Sequence, residues 1–185
     1  MTIEDDMIES DIADLKDIDR LIIAIVSNGG IRRTRLQKIS LLYSVITSSN
    51  PNLLHSAHFF GGYSDDVEES SNDLIDIGVL KENGTIYSLS EYGTKLKEHL
   101  VKKDDSFKDL LEISGGIVTS LSRVPDEKIV AMTYAFYPEL ATQSAISGRI
   151  GKVNERMTIN KTPIKTMSKE EFENMLIGKN ILSVE

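Results

Sequence analysis

The sequence predicts a mainly α-helical protein with one small β-hairpin. Three observations predict it. Apolar residues recur every three or four positions through stretch after stretch of the chain, the period of a helix with one buried face. Two short extended runs flank Asn83-Gly84, a strong hairpin signal. The chain has 185 residues, 40% apolar and 27% charged, enough to bury a core without staples.

The elements follow in order. Residues 1–12 are acidic and predict a frayed start. Leu15, Ile18, Leu21, Ile22 and Ile25 predict a first helix over 12–27, closed by Asn28-Gly29-Gly30, because glycine accepts the left-handed conformation at a helix end. Leu36, Ile39, Leu42, Tyr43 and Ile46 give a second helix, with Arg32, Arg33, Arg35 and Lys38 crowding its start. Cations there oppose the helix dipole slightly, which points to a partner rather than to stability. Thr47–Asn52 reads as a loop, and the apolar segment 53–60 leads to Gly61-Gly62. Ser64 is a good cap for a third helix closed by Gly78, with Asp65 and Asp66 where the dipole favours anions and Val67, Ser71, Leu74 and Ile75 facing inward. The hairpin comes next, and Ser90 caps a fourth helix to about 103.

Beyond it, Phe107, Leu110, Leu111, Ser114, Ile117, Val118 and Leu121 hold one helical phase, and Gly115-Gly116 marks a kink or a close helix contact. Pro125 opens a helix that is apolar almost all round and therefore buried, and Pro138 ends it. A short helix at 139–146, a weakly periodic stretch at 148–166 and a capped helix at 168–178 complete the chain.

Three helices followed by a two-stranded hairpin is the order of a winged helix-turn-helix domain, with the hairpin as the wing and the third helix in the place of the recognition helix. The organisation expected is an acidic start (1–12), a winged-helix domain (13–103), a helical extension packed on it (104–147) and a C-terminal arm (148–185).

Composition excludes several functions. There is no Cys, so disulfides, thiol catalysis and cysteine-ligated metals are out, and three His cannot build a His-rich site. His55 and His58 with Asp65 or Asp66 could form a ligand set, but two histidines beside an apolar segment are the plainer reading. No nucleophile elbow, triad or phosphate loop is present, and the carboxylate pairs Asp5-Asp6, Asp65-Asp66 and Asp104-Asp105 all fall at helix ends or in loops. The expectation is a protein that is not an enzyme and uses no cofactor or metal. No apolar run is long enough for a membrane span, and the acidic start is unlike a signal peptide, so the expected location is the cytoplasm.

The net charge is −8, unevenly spread: −6 over residues 1–20, +4 over 21–50 and −6 over 51–79. On the third helix the outward positions are Asp65, Glu68, Glu69, Asn72 and Asp76. Nearly all non-specific DNA affinity comes from neutralising phosphates, so four carboxylates on that face make it a poor reader of a duplex. A basic protein surface suits it better. Tyr63 just before the cap is either a staple onto the helix or an exposed aromatic anchor. Phosphates could instead meet Arg32, Arg33, Arg35 and Lys38, the hairpin residues Lys81 and Asn83, and Lys95, Lys97, Lys102 and Lys103. The arm, with Met157, Met167 and Met175, could fold back on its own domain, exchange between copies or hold a partner. The partners expected are a protein, with nucleic acid as the alternative, no membrane, and a second copy in a homodimer.

One series of motifs is familiar. "RLQK" (35–38) with Leu42-Tyr43, "FFGGYSDDV" (59–67), Leu74, Gly78, "YSLSEYG" (87–93), Tyr134 and "YPELATQS" (137–144) together resemble the winged-helix proteins of the Panacea-domain group, antitoxin-like and phage-associated, and the related YwgA-like proteins. The resemblance spans about residues 18–147, with Gly62 standing where the family pattern has Pro. It implies a non-enzymatic regulatory module. Some relatives are antitoxins that bind a toxin or a protease adaptor.

Overall fold

The computed structural model describes residues 3–47 and 63–136. The segment 53–60, the helices expected at 139–146 and 168–178, and the arm lie outside them. Among the described residues the protein is mostly helical with a small three-stranded antiparallel sheet. The order is α1 (Ile3–Asp14), α2 (Asp17–Val26), β1 (Ile31–Arg32), α3 (Arg33–Thr47), α4 (Asp65–Asp76), β2 (Leu80–Asn83), β3 (Ile86–Leu89), α5 (Glu91–Lys103), α6 (Asp105–Ser120) and α7 (Asp126–Phe136).

The start of the chain departs from expectation. Residues Ile3–Asp14 are a helix rather than a frayed end, and the helix expected over 12–27 is broken at Leu15-Lys16. Lys16 is extended (φ −71°, ψ 162°), and its backbone N–H donates to Asp19 Oδ2 at 2.7 Å, one half of a capping box. Helix α1 packs on α5 through little apolar surface: Ile8 is buried, and Ile12 is partly buried against the core. Polar contacts complete the seat. Tyr92 Oη donates to Asp11, Lys103 pairs with Glu9, and Arg20 Nη2 donates to the carbonyl of Ile12.

Helix α2 is the centre of the molecule. All six residues from Leu21 to Val26 are buried, and the helix touches α6, α4, α3 and β3. Helix α6 brings Phe107, Ile117 and, at its C-cap, Leu121 into the same core. It runs without a break through Gly115-Gly116. The close contact is at Gly115, where an added Cβ would lie 3.2 Å from Asn28 Oδ1. Asn28 in turn donates Nδ2 to the Ala24 carbonyl at 3.0 Å, closing α2. Helix α7 is buried from Ile129 to Tyr134, as its composition predicts, and packs on α3.

The sheet has the order β1-β3-β2. Sequence reasoning finds the hairpin and misses β1, whose two residues pair with β3 as Ile31↔Tyr87 and Arg32↔Ile86. The turn lies one residue later than expected. Asn83 is the last residue of β2, paired with Ile86, and the two turn residues are Gly84 and Thr85. Gly84 has φ +63°, the positive value a two-residue hairpin needs and glycine adopts freely.

Helices α3 and α4 are joined by an amide clamp. Buried Gln37 donates Nε2 to the Ser64 carbonyl at 3.0 Å and accepts the Ser64 N–H on Oε1 at 2.9 Å. Gln37→Ala leaves the Ser64 N–H buried without a partner, while the Ser64 carbonyl keeps the Glu68 N–H at 3.3 Å, and one such orphaned group costs about 1–3 kcal/mol. The variant should lose about 2 kcal/mol in urea unfolding and lose amide-exchange protection first at Ser64.

Candidate functional site

The acidic face of α4 is built from its first residue. Ser64, held by the Gln37 clamp, caps the helix and accepts the Val67 N–H on Oγ at 3.3 Å. Asp65, Asp66 and Glu68 occupy the first turn, where the helix dipole favours negative charge. The inner side is apolar and hydroxylic: Val67, Ser70, Ser71 and Leu74 are buried, and Ser70 Oγ donates to the buried Asp19 of α2. That one hydrogen bond, with the packing of Val67 and Leu74, fixes how α4 is turned. Its outer side then carries Asp65, Asp66, Glu69, Asn72, Asp73 and Asp76, all exposed.

Glu68 differs from its sequence-predicted place. It is half-buried and accepts the hydroxyl of Tyr63, which is itself half-buried. Tyr63 therefore leans on α4 rather than standing clear as an anchor. A cation stands beside the acidic row. Lys16 at the start of α2 reaches Asp73 at 3.5 Å, with both side chains more than half exposed.

The basic cluster is dispersed. Arg32, largely exposed, donates Nη1 to Asp126 Oδ2 at 3.0 Å, and Arg35 donates Nη1 to the other oxygen of the same carboxylate at 2.9 Å. Arg35 is only 19% exposed and also donates to the carbonyls of Leu121 and Val124, so it ties the α6–α7 junction to α3. Arg33 lies over the Tyr87 ring, 5.5 Å from its centroid, and pairs with Glu82 of β2. Lys38 is buried at 2% exposure, and burial pushes its ammonium down to about 8. Four cations that look like one patch in the sequence thus point to an exposed corner (Arg32), a ring face (Arg33), a helix junction (Arg35) and the interior (Lys38). Lys81 and Asn83 are exposed on the hairpin, Lys102 is exposed on α5, and Lys95 and Lys97 are half-buried there.

Two contributors to the site are absent from the sequence reading. Gln37 positions the start of α4, and Asp19 orients it, yet in the sequence both sit inside runs that read as ordinary amphipathic helix. The "RLQK" motif contains Gln37, which is the one signal that marks it.

His55 and His58 lie outside the described residues, and among the described ones no group of three or more His, Asp or Glu side chains is placed to hold a metal ion. No described helix is long and apolar enough to cross a membrane. Comparison with family models, curated proteins and solved structures finds no match for this chain.

Proposed function

We propose that the protein is a winged-helix regulatory module that works by binding another protein through the outer face of α4. The element order from α2 to β3, with the short β1 completing a three-stranded sheet, supports the winged-helix reading. The observation that carries the functional part is the exposed acidic row at the position where a DNA-binding relative would present its reading helix. Asp65, Asp66, Glu69, Asp73 and Asp76 stand there, with Lys16 paired to Asp73. Such a face repels phosphates and steers a basic protein surface. An antitoxin- or adaptor-like role, as in the Panacea-domain group, agrees with this and needs no catalytic residue.

The reversal Asp65→Lys, Glu69→Lys and Asp76→Lys changes only exposed side chains. It should abolish capture of the partner from native extract by the tagged full chain and lower stability by no more than about 1 kcal/mol, the scale of the lost dipole interaction at Asp65. Undiminished capture by the folded variant overturns the reading.

A second reading, DNA contact by the β1–α3 corner and the hairpin, rests on the exposure of Arg32, Lys81 and Asn83. Arg35 and Lys38 are held inside the protein and Arg33 is already paired, which leaves few cations for phosphates. Titration of a random duplex by fluorescence anisotropy at about 50 and 200 mM salt separates the two, because affinity built on phosphate contacts falls steeply over that range.

A further inference from the structure

We propose that the outer face of α4 is occupied, in the absence of a partner, by a basic stretch of this same chain, residues 148–166. The inference rests on reading α4 as a docking surface and names its regulator. Charge complementarity is the first argument. The stretch holds Arg149, Lys152, Arg156, Lys161 and Lys165 against a single carboxylate, Glu155. Of the other basic clusters, residues 32–38 are engaged with Asp126, Glu82 and backbone carbonyls, and Lys95, Lys97, Lys102 and Lys103 are carried on α5, which packs on α1 and α6. With five cations against one carboxylate, this stretch is chemically suited to meet the acidic row.

Spacing is the second argument. The carboxylates of Asp65, Glu69, Asp73 and Asp76 recur every three or four residues, over about 16 Å at 1.5 Å per residue. The cations of the stretch recur every three to five residues. Several pairs can therefore form at once in one docking.

Reach is the third. Fifteen residues lie between Phe136 and Lys152. Extended, they span up to about 50 Å. A domain of about 120 residues has a radius of gyration of about 13 Å, so any part of its surface is within the tether's range.

A single exposed ion pair contributes only about 0–1 kcal/mol. The tether supplies the rest, since a covalently linked segment acts at an effective concentration near the millimolar range. A set of weak pairs is then occupied much of the time at low salt and released at high salt. A basic partner has to displace the segment, so the stretch sets a threshold for binding rather than blocking it.

Zero-length carbodiimide crosslinking of the full chain, read by peptide mass spectrometry, tests this. At about 20 mM salt, Lys152, Lys161 or Lys165 should couple to Asp65, Glu69, Asp73 or Asp76, and at about 500 mM these links should vanish. Arg149→Glu with Arg156→Glu keeps every reporting lysine and should cut the links roughly fivefold by removing the neighbouring attraction. The Lys103–Glu9 pair is the internal control and should persist in the variant. Failure of the stretch's lysines to couple while Lys103–Glu9 couples overturns the proposal. So do links found only between isotopically distinct chains in a mixed sample, which would place a second copy on the face. No partner is needed, so failure here is distinct from failure of the capture experiment.

Discussion

Gly93→Ala should nearly unfold the protein. The first turn of α5 sits directly on the backbone before β2. Ser90 donates its N–H to the Val79 carbonyl at 3.0 Å and its Oγ to the Gly78 carbonyl at 2.6 Å, and accepts the Gly93 N–H at 2.8 Å. A Cβ on Gly93 would lie 2.0 Å from Val79 O and 2.9 Å from Val79 C. Backbone atoms cannot swing aside as a side chain does, so helix and hairpin must part. Overpacking costs about 1–3 kcal/mol where side chains can adjust and more where they cannot, so about 4 kcal/mol is expected here. That is a large fraction of the stability of an ordinary domain. Gly116→Ala is the matched control. Gly116 is exposed in the interior of α6 and an added Cβ meets nothing within 4 Å, so the substitution should stabilise by about 0.5–1 kcal/mol. Urea titration of the two variants beside the wild type should show midpoints moved in opposite directions.

The second large effect concerns Lys38 and pH. Burial disfavours its ammonium and lowers its value from 10.5 to about 8. Below pH 8 both the folded and the unfolded chain carry the proton, and the cost of the buried charge is present in full. Between 8 and 10.5 the unfolded chain still holds a proton that the folded chain has released, so stability rises with pH. The interval corresponds to about 3 kcal/mol. Comparison with Lys38→Met isolates this contribution. The difference in unfolding free energy between wild type and variant should move by about 3 kcal/mol in favour of the wild type from pH 8 to 10.5, with the variant lacking this climb.

Lys38 also shows how far the sequence carries. The helices α2 to α7 are legible because each buries one face or is apolar throughout, and periodicity reports that directly. The capping residues Ser64 and Ser90 are legible for the same local reason. Helix α1 is not, because its seat on α5 is mostly hydrogen bonds and ion pairs with residues some 80 or more positions away, such as Asp11 to Tyr92 and Glu9 to Lys103. Strand β1 is not, because two residues have no periodicity and become a strand only by finding β3. The acidic row on α4 is readable as a helix face, and its exposure agrees with that reading apart from Glu68. The basic cluster is the opposite case. Arg32, Arg33, Arg35 and Lys38 are close in sequence, but the places of Arg32, Arg33 and Arg35 are decided by distant groups, Asp126, Glu82 and the Leu121 carbonyl, that no local pattern announces.

The seating of α6 on α2 bears on synthesis. Phe107, Ile117, Leu121 and Val124 complete the core around Leu21–Val26, and Arg35 waits for carbonyls at 121 and 124. A nascent chain that has emerged only as far as Lys103 carries α1 to α5 and the hairpin, with one side of α2 bare. At about 5–20 residues per second the remaining twenty-odd residues take a few seconds or less to follow. During that interval the most apolar of the described helices has one side uncovered, so the ribosome-bound intermediate is the state most exposed to chaperones.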